Sequence, residues 1–104
     1  MKPSARQIFS VVAAQSGLRP EVVLSRRMAR RISRVRGRAF WAIRTIRPDM
    51  SFPRIGRIVD RDHTTILSAF RVCERRRQES EEERLACDAV LAVFFNESPE
   101  AMAS

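Results

Sequence analysis

Between Pro48 and Ser80 the chain carries two helix signatures separated by three polar residues, and that spacing leaves few folds open. Ser51 is an N-cap residue, Pro53 fits a first helical turn, and Ile55, Ile58 and Val59 make an apolar face. Asp60-Arg61-Asp62 is a tight polar junction. A longer helix is expected to start there and run through His63, Thr64, Thr65, Ile66, Leu67, Phe70 and Cys73 to Arg75-Arg76-Arg77. A short helix, a three- or four-residue turn and a longer helix make a helix-turn-helix pattern.

The rest of the chain also reads as helix. It has 3 Gly and 5 Pro, no Asn-Gly or Asp-Gly hairpin turn, no sustained alternation of period two and no internal repeat. A first helix is expected from about Ser4 to Ser16, with Ser4 as N-cap, Gly17 as a left-handed stop, and Ile8, Val11, Val12 and Gln15 on one face beside Phe9 and Ala13. A short second helix follows from Pro20 to Leu24. Ser25 to Arg38 is the most basic stretch. It opens as a loop and passes near Ser33 into a helix reaching about Ile46, whose buried stripe is Val35, Ala39, Ala42, Ile43 and Ile46, with Phe40 or Trp41 beside it. Ser80 and Glu83 form a capping box for a last helix that reaches about Asn96 and buries Leu85, Ala89, Ala92 and Val93, with Phe94 or Phe95. The expected fold is therefore all-α, a compact bundle of about six helices containing a helix-turn-helix. Residues 1–96 form one domain and residues 97–104 a flexible tail.

Charge narrows the partner. The chain has 104 residues, 20 Lys+Arg and 12 Asp+Glu, for a net charge of +8. All but Lys2 of the basic residues are Arg, whose planar guanidinium makes the bidentate phosphate and guanine contacts that Lys cannot. Residues 1–77 hold 19 of these cations against 5 acids, a net of +14, whereas residues 78–104 hold Arg84 against seven acids. A basic body with an acidic end fits a polyanion binder, nucleic acid first.

Enzyme classes fare poorly. His63 is the sole His, and Cys73 and Cys87 lack Cys-x-x-Cys spacing, so neither a metal site nor a cofactor is expected and the thiols read as buried and reduced. No Ser or Cys nucleophile motif accompanies Asp62-His63, so no catalytic residue is expected. No apolar run approaches a membrane span and no secretory signal is visible, so the expected location is cytoplasmic, at the bacterial or phage nucleoid. Trp41 reads as core, and without an aromatic platform a single-strand reader is disfavoured.

Three segments together resemble one family: Arg26-Arg27 with the Arg-rich stretch after it, Ser51-Phe52-Pro53-Arg54-Ile55-Gly56, and Arg61-Asp62-His63-Thr64-Thr65-Ile66-Leu67. The chain resembles the C-terminal DNA-binding domain (domain IV) of the bacterial replication initiator DnaA, from about Ser4 to Asn96 and in the family's six-helix order, here as a stand-alone domain. The resemblance implies recognition of a short, asymmetric, AT-rich box in double-stranded DNA. Some features depart from the family. There is no GxxxxGK[ST] loop, so no ATPase activity is implied. The junction before Arg61 is one residue shorter than the usual Gly-Gly form, with Asp60 in its place, and residues 46–50 are one residue longer than in some members. Ser68 stands where a His is frequent, and Gly37-Arg38 where an Arg-Gln pair is common.

On this resemblance the helix from Asp62 is the recognition helix, with Asp62, His63, Thr64 and Thr65 at base edges in the major groove. Asp62 equally suits an N-cap role. Arg26 to Arg31 form the minor-groove arm, with Arg27, Arg30 and Arg31 as candidates and Arg30 foremost. Arg36 and Arg38 would bind phosphate or read base edges, Arg54 and Arg57 would meet phosphate, and Arg61 opens the recognition string. The expected function is sequence-specific DNA binding that regulates transcription or replication at DnaA-box-like sites. The alternative is a protein-interaction module that binds a protein partner through the acidic C-terminal helix and DNA only non-specifically.

Overall fold

Cap residues set most of the helix ends. The structure, a computed structural model, describes residues 2–95, and among these it is all-helical. Ser4 opens α1 (Ala5–Gln15) with a complete capping box: its hydroxyl accepts from the Gln7 N–H and the Gln7 side chain accepts from the Ser4 N–H. Gly17 follows with φ +71°, the left-handed stop expected of it. Pro20 starts α2 (Pro20–Leu24). Then come α3 (Arg30–Ile46), α4 (Phe52–Val59), α5 (His63–Glu79) and α6 (Glu81–Phe95). The expectations for Asn96 and for a flexible tail at 97–104 lie outside the described residues.

The third helix lies at the centre and touches all five others. Its buried stripe is the expected one, and both Phe40 and Trp41 join it. With Ile8, Ile43, Ile55 and Ile66 they make the largest fully buried side chains. The Trp41 N–H donates to Glu74 at 2.6 Å, and the Arg77 guanidinium stacks 4.6 Å from the indole ring. Arg77, from the Arg75-Arg76-Arg77 run, is thus structural, and it also pairs with Asp88 at 3.2 Å.

Two expectations are corrected. The third helix starts at Arg30, not near Ser33, because the Ala29 carbonyl already accepts from the Ser33 N–H. The Arg-rich loop therefore shrinks to residues 25–29, and Arg30 and Arg31 sit in a helical first turn. The last helix faces the core with Glu83, Cys87 and Val90, not with Leu85, Ala89, Ala92 and Val93. Leu85 and Val93 are each 54 % exposed. The rotation follows from Glu83. Its N–H donates to Ser80 as a capping box requires, but its carboxylate does not return to the cap, bonding Arg38 instead at 2.6 Å. That buried pair turns the Glu83 face inward. Burial alone would raise the Glu83 pKa, yet Arg38's hydrogen bond and charge hold it below the ordinary value.

The helix-turn-helix rests on a close backbone approach. After Val59 the chain reverses through Asp60, whose φ of 57° is left-handed and tolerated by Asp. The Arg61 N–H then donates to the Gly56 carbonyl at 2.8 Å. A Cβ on Gly56 would stand 2.5 Å from the Arg61 carbonyl oxygen. Backbone cannot yield as a flexible side chain can, so only glycine fits.

Gly56→Ala is expected to destabilise the chain by about 1–3 kcal/mol through overpacking. Gly37, mid-helix in α3, has only the Ala69 Cβ at 4.0 Å, so Gly37→Ala is expected to stabilise it by about 0.5–1 kcal/mol. Urea unfolding followed by circular dichroism measures both. Equal and small changes would contradict the close approach at Gly56.

Candidate nucleic-acid interface

The start of α5 is built by its own sequence. Asp62 adopts an extended conformation, and one carboxylate oxygen accepts from both the Thr64 N–H at 2.8 Å and the Thr64 hydroxyl at 2.6 Å. These bonds hold the Asp62 carboxyl below its ordinary pKa, the Thr64 hydroxyl contributing most. Asp62 is thus the N-cap. His63, Thr64 and Thr65 are all exposed on the first turn, beside the positive end of the helix dipole.

A second group comes to the same place. Arg26 from the 25–29 loop and Arg57 from α4 join Arg61, Asp62, His63 and Thr65 around one surface concavity. Arg26 lies 3.8 Å from Asp60, both highly exposed, a contact worth little in water. Arg54, also exposed, projects one turn before Arg57 on α4, with its N–H on the Ser51 hydroxyl. Arg27 is exposed in the loop.

Four of the remaining arginines of the expected site have protein partners. The Arg61 guanidinium donates to the carbonyls of Leu24 at 2.6 Å and Ser25 at 3.1 Å, which close the end of α2. Arg36 is 8 % exposed and donates to the Val23 carbonyl at 2.7 Å and the Arg27 carbonyl at 2.9 Å. Burial, and then the charge of Arg61, lower the Arg36 pKa. Arg38 is held by Glu83 and the Ser16 hydroxyl. Arg31 donates to the Ser16 carbonyl at 2.6 Å. Arg30 is exposed and shares a separate depression with Arg31, Arg34 and Glu82, away from the helix-turn-helix junction.

The structure therefore unites Arg26, Arg57, Arg61, Asp62, His63 and Thr65, and sets Arg30, Arg31 and Arg38 elsewhere. Two arms hold the Arg-rich loop between them, Arg61 at its start and Arg36 at Arg27. Sequence reasoning ranked Arg30 above Arg26. The one available signal for Arg26 was its place immediately after the Ser25 that ends α2.

Residues 5–72, well over half of the chain, match the family described as bacterial DnaA protein helix-turn-helix. The chain belongs to the bacterial DnaA helix-turn-helix family. A comparison with curated proteins found no match. The matched span holds α1 to α4, the turn and the first half of α5, and so contains every residue of the concavity. Family membership supports binding of double-stranded DNA by this domain. Among the described residues no helix is long and apolar enough to cross a membrane.

In this DnaA-family domain the two loop braces are testable without DNA. Arg36→Ala removes two charge-assisted bonds to backbone carbonyls, each worth about 1.5–3 kcal/mol. Trypsin cleavage after Arg26 and Arg27 should accelerate by about ten-fold or more as the loop opens locally. Arg54→Ala, at an exposed position, should leave the cleavage rate unchanged. Equal rates in both variants would contradict the bracing role.

Proposed function

We propose that this chain binds duplex DNA sequence-specifically at DnaA-box-like sites and thereby regulates transcription or replication. In this reading α5 enters the major groove and the 25–29 loop reaches the adjacent minor groove. The observation that carries it is the exposed His63-Thr64-Thr65 turn, capped by Asp62 and flanked by Arg26 and Arg57 on one surface. Thr64 and Thr65 offer methyl groups to thymine, the Thr65 hydroxyl can donate to a base or phosphate, and His63 donates to a base acceptor or packs on a methyl. Asp62 keeps one oxygen free of Thr64 and can accept from a cytosine amino group. Arg54 and Arg57 meet phosphate, and Arg26 and Arg27 of the 25–29 loop supply charge to a narrow AT-rich groove. Arg36, Arg38 and Arg61 act mainly by holding the elements that carry these groups. No ATP-driven step and no catalysis belong to this reading, and the site of action is the bacterial or phage nucleoid in the cytoplasm.

One observation favours a second reading. Leu85, Val93 and Phe95 are each more than half exposed on α6, beside Glu81 and Glu82. A protein partner on that helix, with non-specific DNA binding only, would use this face. A pull-down with and without nuclease separates the two, since partners retained after nuclease with no sequence preference for DNA favour the second.

Fluorescence anisotropy with a DnaA-box duplex and a scrambled duplex tests the main proposal. Log K should fall by ~0.9 per log unit of salt for each neutralised phosphate. His63→Ala and Thr64→Ala should each reduce discrimination by about ten-fold, in line with about 1–3 kcal/mol per good base contact. Arg26→Ala and Arg27→Ala should weaken AT-rich sites most. Equal affinity of the unmodified chain for both duplexes would overturn sequence specificity.

A further inference from the structure

Beneath the helix-turn-helix, α5 and α6 bring together a donor set that neither helix holds alone. Glu83 and Cys87 lie one turn apart on α6, and Cys73 faces them from α5. All three are buried, at 5 %, 0 % and 4 % exposure. The two sulfurs are 3.7 Å apart, and the Cys87 sulfur is 3.6 Å from Glu83 Oε2. One donor atom from each residue lies within 4.8 Å of the other two.

We propose that Cys73, Cys87 and Glu83 form a binding site for a thiophilic divalent cation of the zinc class. Two sulfurs bound at ~2.3 Å to a tetrahedral zinc stand ~3.8 Å apart, and a sulfur and a carboxylate oxygen ~3.5 Å apart. The sulfur–sulfur pair and the Cys87–Glu83 pair already hold those separations, and the Cys73–Glu83 pair lies within 4.8 Å, so the metal enters with a small adjustment of side chains. Charge also balances. In the metal-free chain Arg38 and Glu83 neutralise each other beside two neutral thiols. Metal binding deprotonates both thiols, forms two metal–sulfur bonds and one metal–oxygen bond, and releases two protons to solvent. The cation, two thiolates, one carboxylate and Arg38 then sum to zero, the same as before. Arg38 keeps its place behind Glu83, anchored also to Ser16, and so orients the ligating carboxylate from outside.

A cavity of about 260 Å³ where α3, α5 and α6 meet is lined by Cys73, Glu83, Arg38 and Gly37, and by the exposed Thr65 and Ser68. It provides an entry path and room for a water ligand. Soft thiolates favour zinc or cobalt over magnesium or calcium. The bound ion would tie α5, which begins with His63-Thr64-Thr65, to α6. The proposal does not depend on the DNA reading.

The full chain, stripped of metal and kept under a phosphine reductant without oxygen, is titrated with Co2+. One equivalent should saturate a near-ultraviolet thiolate-to-cobalt band together with visible bands of tetrahedral cobalt, and Zn2+ should abolish both. Two protons should be released per metal bound. Cys73→Ser and Cys87→Ser should each lose about half of the charge-transfer intensity, and the double variant all of it, with folding checked by circular dichroism. Should the variants fail to fold, protection of both thiols from a thiol-alkylating reagent by one equivalent of Zn2+ reads the same site in the unmodified chain. Absence of the charge-transfer band together with absence of protection overturns the proposal. So does formation of a Cys73–Cys87 disulfide in air by a chain that takes up no Co2+ when reduced.

Discussion

Arg61 is fastened at both ends, and the geometry of the basic face depends on it. Its backbone N–H is tied to Gly56, and its carbonyl passes so close that only a glycine fits opposite. Its guanidinium closes the carbonyl end of α2. One residue thus fixes three relations: the crossing of α4 and α5, the start of the exposed turn at Asp62, and the departure of the Arg-rich loop from α2. Arg36 holds the same loop from below through the Arg27 carbonyl. In the proposed binding mode rigid placement matters, because the α5 turn and the loop arm would reach one duplex together and any slack between them is an ordering cost on binding.

Counting arginines overstates the free positive charge. Arg36, Arg38, Arg47 and Arg77 are braces: Arg47 is bidentate on Asp49 and also holds the Pro3 carbonyl, while Arg77 covers Trp41. The forked donor set that suits Arg to phosphate suits it equally to pairs of backbone carbonyls, and Lys replaces it poorly in either role. Of the exposed arginines Arg26, Arg27, Arg54 and Arg57, Arg26 and Arg57 meet beside the α5 N-terminus.

Local chemistry was legible in the sequence wherever one residue's side chain meets its own backbone neighbourhood. Ser4, Pro20, Ser51 and Asp62 each mark a helix start because capping and fixed φ act within a few residues. The central stripe of α3 was legible because its period is long and its apolar residues are unambiguous. The orientation of α6 was not. Its apolar residues occupy two stripes, and the choice between them is made by Arg38, far away in sequence, drawing Glu83 inward. The same distance hid the inward turn of Arg36 and the meeting of Cys73 with Cys87 and Glu83. In the basic stretch one arginine looks like another, and only the path of the backbone separates Arg26, at the junction, from Arg30, on α3.

The claim that the α4–α5 junction and the 25–29 loop together form the DNA-binding face is tested most directly by amide chemical-shift mapping of the chain on titration with a DnaA-box duplex. Shifts should concentrate at Arg26, Arg27 and Arg57 and from Asp62 to Thr65, with Leu85 to Phe95 unmoved. Shifts centred on Leu85, Val93 and Phe95, with the junction silent, would contradict the account.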